Sequence, residues 1–220
     1  MPTWVVTGAN RGIGLEMCRQ LKARGEGVFA ACRTTSPELD ALGVTVVPGV
    51  EMTSDDGAAK IAKALGDERI DVLLNNAGVL VPDALEALDF DAMKRQYEVN
   101  ALGPLRLTKG LLSRLGKGSK VAMVSSRAGS IGDNSSGGLY GYRMSKAALN
   151  MGGVSMARDL APRGITVVML HPGFIRTGMT NGNGNDDPPV AAKGLIARID
   201  AATPAQSGKF FHANGEELPW

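Results

Sequence analysis

Short, nearly continuous apolar runs alternate along this chain with longer stretches whose apolar positions recur every three or four residues. The runs are Trp4–Thr7, Gly27–Cys32, Val44–Pro48, Asp71–Asn75, Lys120–Ser125, Thr166–Leu170 and Lys209–His212. A strand apolar at consecutive positions is buried on both faces, the habit of parallel sheets. Between the runs, Gly14–Arg24 sets Leu15, Cys18, Leu21 and Lys22 at helical spacing, and Asp55–Leu65 does the same with Ala58, Ile61, Ala62 and Leu65. Such alternation predicts βαβ units. Right-handed crossovers then wind them into a Rossmann-type α/β fold, a doubly wound parallel sheet of about seven strands with helices on both faces.

The pattern is unbroken, so one domain is expected over residues 1–220. The one linker-like stretch, Gly178–Pro189, reads GMTNGNGNDDPP. It is too short to separate domains and, being polar and rich in Gly, Asn and Asp, is expected to be a mobile lid.

Composition narrows the classes. A hydrophobic share of 44% and a charged share of 21% are ordinary for a globular chain. A net charge of +2 without like-charge blocks, and 5% aromatic residues, give no footing for nucleic acid or an anionic membrane. No apolar stretch reaches the length of a membrane span. Met1 leads almost directly into the first strand, with no basic and apolar leader. Cys18 and Cys32 lack CxxC spacing and read as free thiols of a reducing compartment, so a cytoplasmic location is expected. No metal-ligand set is read from the sequence.

The first strand runs into Gly8-Ala9-Asn10-Arg11-Gly12-Ile13-Gly14, and a helical pattern follows. Strand, glycine turn and helix form the setting of a dinucleotide site: glycines let the backbone approach a pyrophosphate, and the helix N-terminus offers unpaired N–H groups. The second strand ends without the acid that would take a ribose 2′-hydroxyl, and carries Arg33 instead. With Arg11 it offers guanidinium groups to a 2′-phosphate. NADPH/NADP+ is therefore the expected cofactor.

Tyr142-Arg143-Met144-Ser145-Lys146 sets a phenol and an ammonium on one helical face. A nearby cation is expected to lower the phenol pKa, suiting Tyr142 to proton transfer. Ser126 closes the apolar strand before it and can hydrogen-bond the same substrate oxygen; Ser125 is the weaker choice, and a turn or capping role the bland one. Asn100 interrupts a helical pattern where Asn is unfavourable, with a helix bend near Pro104 as the alternative.

The series TGxxxGxG at Thr7–Gly14, NNAG at Asn75–Gly78, VNxxG around Asn100, Ser126 with Gly129, YxxxK at Tyr142–Lys146 and PGxxxT at Pro172–Thr177 resembles the short-chain dehydrogenase/reductase family in its order. YRMSKAALNM, NALGPLR and GEELPW are similar to the C-factor/sniffer-type carbonyl reductase branch. The resemblance implies a catalytic set of Asn100, Ser126, Tyr142 and Lys146, with Asn100 holding a water in a proton relay. It implies cofactor binding by Gly8, Asn10, Arg11, Gly12, Ile13, Gly14, Arg33, Asn76, Ala77, Gly78, Tyr142 and Lys146. Pro172, Gly173, Ile175 and Thr177 are implied beside the nicotinamide. Near adenine the family often has Asp; this chain has Glu51, which can substitute, and Met52, which can contact adenine through its backbone. His171 is read as structural.

The implied activity is NADPH-dependent reduction of an aldehyde or ketone to an alcohol. The alternatives are a dinucleotide-sensing signalling protein of C-factor type and an NAD-linked alcohol dehydrogenase. The implied partners are a small-molecule carbonyl substrate and copies of the chain itself as a dimer or tetramer, not nucleic acid or membrane. Gly152-Gly153 is expected to permit close helix packing at a two-fold interface, and Val79–Leu85 and Ser130–Leu139 to wall the substrate site.

Overall fold

The strand runs become β1 (Thr3–Thr7), β2 (Gly27–Ala31), β3 (Thr45–Val47), β4 (Val72–Asn75), β5 (Lys120–Val124), β6 (Thr166–His171) and β7 (Phe210–His212) in a computed structural model that describes residues 1–220. Every boundary lies within one residue of its expected place. All neighbouring strands pair in parallel, in the order β3-β2-β1-β4-β5-β6-β7. The chain therefore crosses over after β3, and β1 lies beside β4 at the point where the winding reverses.

The helices are α1 (Gly12–Ala23), the short α2 (Pro37–Asp40), α3 (Asp56–Leu65), α4 (Phe90–Tyr97), α5 (Gly103–Gly110), α6 (Tyr140–Leu160) and α7 (Pro188–Ala201). They cover both faces because successive strand residues point to opposite sides. Val5, Leu73, Val121 and Met169 pack with Ile61 of α3, Leu107 of α5 and Leu149 of α6. Val6, Leu74, Ala122 and Leu170 pack with Met17 of α1 and Leu195 of α7. No helix is long and apolar enough to cross a membrane.

Gly152-Gly153 has close neighbours within its own chain. A Cβ on Gly153 would lie 2.4 Å from Met169 Sδ, and one on Gly152 would lie 3.3 Å from Leu105 Cδ1. The pair lets α6 settle onto β6 and α5. The segment Gly178–Pro189 is also tied down rather than free. Thr177 and Thr180 cap a single turn reciprocally, and Asn185 N donates to Phe174 O at 2.7 Å. Arg176 pairs with Asp187 at 2.7 Å. Pro188 and Pro189 open α7, where a missing N–H costs nothing. The Gly, Asn and Asp content that reads as looseness supplies turn conformations instead, including left-handed Asn181.

Candidate functional site

The loops after β1 and β4 meet at the reversal of the sheet. Gly8 and Gly12 adopt φ of 65° and 55°, which favour glycine. A Cβ on Gly14 would lie 2.3 Å from Gly8 O, so the turn can close on α1 only with glycine there. Asn76 ties the two loops together: its amide donates to Thr7 O at 2.9 Å and Gly8 O at 3.3 Å, while its N–H donates to Thr7 Oγ1. The N-cap of α1, Arg11, makes no side-chain capping bond, and the first turn carries no acid.

A cavity of about 380 Å³ opens over this junction. Its wall includes Gly8, Asn10, Arg11, Gly12, Ile13, Gly14, Arg33, Glu51, Met52, Asn76, Ala77, Gly78 and Thr177. Pro172, Gly173 and Ile175 are not on the wall. Ile175 is buried, and Gly173, at φ 99°, turns the chain beside Ile175 and His212. The wall also holds Arg95 and Val99, which the sequence reading passed over. Their separation of one helical turn was the available signal.

Three arginines, Arg11, Arg33 and Arg95, face one acid in this wall. That acid is Glu51, whose Oε1 lies 3.9 Å from Arg33 Nε. β2 ends without an acid as expected, but its neighbour supplies one. Gly49 N donates to Arg33 O and Val50 N to Cys32 O, which fixes Glu51 beside Arg33. Both side chains are about half exposed, so the pair contributes about 1 kcal/mol at most.

The second part of the site is buried. Tyr142 and Lys146 stand one turn apart on α6, with Lys146 Nζ 5.8 Å from the Tyr142 ring centre. Lys146 Nζ donates to Val124 O at 2.8 Å. Burial lowers the Lys146 pKa from 10.5 to about 8. Burial also raises the Tyr142 phenol, with the Ser126 hydroxyl pulling the other way. The expected lowering of Tyr142 by Lys146 is thus not what the structure gives. Loss of water around the phenol outweighs its neighbours, and Tyr142 is a protonated donor at neutral pH.

The two serines have different partners. Ser125 is buried and donates to Asn150 Oδ1 at 2.6 Å, a tie between β5 and α6. Ser126 accepts from Ala128 N at 3.2 Å, as a cap, and its hydroxyl interacts with Tyr142. Gly129 is required because a Cβ there would lie 2.7 Å from the Lys146 carbonyl carbon.

Asn100 lies in a π turn, Glu98–Leu102, between α4 and α5. The helix irregularity expected near Pro104 is therefore present, in a type of turn that is frequent at functional sites. Its side chain is fully buried and engaged by protein. Oδ1 accepts from Val79 N at 2.8 Å; Nδ2 donates to Val79 O at 2.8 Å and Ser145 Oγ at 2.9 Å. Both amide hydrogens are committed, so the side chain has none to offer a water. The two parts of the site join at Gly78, on the cavity wall. A Cβ there would lie 3.3 Å from Asn100 Oδ1 and 3.6 Å from Lys146 Nζ. His171 packs edge-on against His212, with ring centres 5.0 Å apart, and burial lowers its pKa to about 3.

Residues 2–188 match the short chain dehydrogenase family. The 1-hydroxy-2-glutathionyl-2-methyl-3-butene dehydrogenase of Rhodococcus sp. (strain AD45) is 43% identical, with all of both chains covered. C-signal of Myxococcus xanthus is 46% identical over 69% of this chain and 93% of that protein. The NADPH-bound carbonyl reductase from chicken fatty liver superposes with a TM-score of 0.91 at 28% identity, covering 100% of this chain and 99% of the other.

Proposed function

The chain belongs to the short-chain dehydrogenase family, and on that premise we propose that it is an NADPH-dependent reductase of aldehydes or ketones. The observation that carries this reading is the meeting, at Gly78, of an arginine-bearing dinucleotide cavity with a buried Tyr142–Lys146 pair. The cradle at Gly8 and Gly14, which a Cβ would fill, fits a pyrophosphate. Arg11 and Arg33 would hold a 2′-phosphate, Thr177 would reach the nicotinamide end and Lys146 its ribose. The bound nicotinamide dinucleotide supplies the hydride.

The remaining work falls to this chain. Ser126 and Tyr142 hydrogen-bond the carbonyl oxygen, and Tyr142 gives it the proton. The raised phenol pKa favours this direction, because reduction needs the protonated form. Cys18 and Cys32, free and buried, support a reducing, cytoplasmic setting.

A second reading, oxidation of an alcohol on a glutathione conjugate, is favoured by the Rhodococcus relative, whose name states that chemistry and whose likeness spans the whole chain. One experiment separates the two. Nicotinamide absorbance is followed with NADPH and NADH over a panel of aldehydes, ketones and quinones, and with NADP+ and NAD+ over alcohols that include a glutathionyl alcohol, with Tyr142→Phe alongside. Turnover of carbonyls with NADPH, lost in the variant, supports the reductase. Turnover only of the glutathionyl alcohol moves the assignment to the dehydrogenase. NADPH binding without turnover in either direction would favour the signalling alternative.

A further inference from the structure

The segment that leaves Gly78 is held at every second residue. Val79 N–H and C=O are both paired by the Asn100 amide at 2.8 Å. Val81 N–H and C=O are both paired by the Gln96 amide, at 3.0 and 3.3 Å. Gln96 and Asn100 are one helical turn apart and fully buried, so two side-chain amides replace a neighbouring strand. Two residues further, Asp83 changes the direction of the contact. Its carboxylate accepts from Tyr140 N–H and, at 2.8 Å, from Gly141 N–H, and its backbone oxygen accepts from Leu139 N–H at 3.2 Å.

These N–H groups are the free donors at the start of α6. The residue at the cap position, Leu139, sits in the left-handed region at φ 51° and makes no side-chain cap. Asp83, distant in sequence, takes over that task with a charged acceptor. Gly141 leaves no room for any other arrangement: a Cβ there would lie 2.5 Å from Gln96 Nε2 and 3.1 Å from Asp83 Oδ2. Gln96, Asp83 and the α6 backbone therefore converge one residue before Tyr142.

We infer that Val79–Asp83 is a strap that fixes Tyr142 relative to the cofactor cavity, with Gln96 and Asp83 as its positioning residues. One end, Val79, lines the cavity. The other end holds the first turn of the helix that carries the phenol. Their role is to act through the placement of Tyr142, where small displacements cost rate.

This role rests on the reductase reading above, so the first readout needs no turnover. Amide hydrogen exchange is measured on the full chain. In Asp83→Ala, exchange at Tyr140 and Gly141 accelerates by about tenfold or more, while Val5 and Leu73 in the sheet keep their wild-type rates. Gln96→Leu accelerates the same α6 amides, because the strap loses an anchor.

The second readout is steady-state reduction of benzaldehyde, or of the best carbonyl in the panel above, with NADPH. Asp83→Ala lowers kcat by about tenfold while KM for NADPH stays within about twofold. Asp83→Asn, which keeps an acceptor oxygen, recovers part of the loss. Unchanged exchange at Tyr140 and Gly141 overturns the strap. So does wild-type kcat despite faster exchange, or a loss of protection spread evenly over the sheet. Absence of carbonyl reduction in the wild-type chain defeats the reductase reading alone, and the exchange result still decides the strap.

Discussion

The two ends of the site are built on different principles. At the adenosine end, backbone shape is rigid but the charges are loose: Arg33 and Glu51 are about half exposed and 3.9 Å apart. At the chemical end the polar groups are buried and spoken for: Lys146 on Val124, Asn100 on Val79 and Ser145, Ser125 on Asn150. Water screens the first set and is excluded from the second. On the proposed reading, cofactor preference is cheap to retune, whereas the chemistry depends on groups already held by buried partners.

The comparison breaks most visibly at Tyr142. Tyr142→Phe removes the proton donor while keeping the ring in its packing, and kcat falls by about 10²–10⁴-fold with NADPH binding preserved. An equal loss of binding, read by NADPH fluorescence titration, would mean that the two ends are not separable. Next come the two serines. Ser126→Ala lowers kcat by about 10²-fold. Ser125→Ala instead costs about 1–3 kcal/mol of stability, seen as a lower denaturant midpoint, because Asn150 Oδ1 loses its donor in the interior.

The third test uses pH. The lowered Lys146 pKa means that its ammonium is lost at about 8 instead of 10.5. The raised Tyr142 pKa keeps the phenol protonated through the same range. The rate of reduction therefore falls as pH rises through about 8, before the phenol ionises. A rate that stays flat to pH 10 would mean that reduction does not depend on the Lys146 ammonium. The smallest effects belong to the exposed end. Arg33→Ala raises KM for NADPH by about tenfold with NADH little changed, and Glu51→Gln lowers it by no more than about fivefold, the range of a screened pair.

Legibility follows the range of the interaction. Strand runs and the glycine turn are local signals, so the sheet and the cradle were readable, as were Tyr142 and Lys146 at one helical turn. Glu51 opposite Arg33 was not, because β2 and β3 are brought together by pairing that no local pattern records. Gln96 and Asp83 carry no local signal; only the fold shows which backbone groups they satisfy. The glycines at 152 and 153 signalled close approach, but the sequence did not show that Met169 and Leu105 are their neighbours within the chain. The segment after Thr177 was misread because turn-forming residues give the same composition whether a loop is knotted by its own hydrogen bonds or not.

The π turn at Glu98–Leu102 also sets a phase. Such a turn spends one more residue than an α turn, which rotates everything downstream by about 100° around the helix axis. Upstream, Gln96 is turned inward towards Val81; downstream, Leu107 is turned into the core. In an uninterrupted α-helix the two, eleven residues apart, would fall within about 20° of one face, and the extra residue turns them apart. Removing one residue from the turn would regularise the hydrogen bonds and swing Leu107 and Leu111 away from the sheet, so the irregular turn acts as a gearwheel between a polar clamp and an apolar anchor.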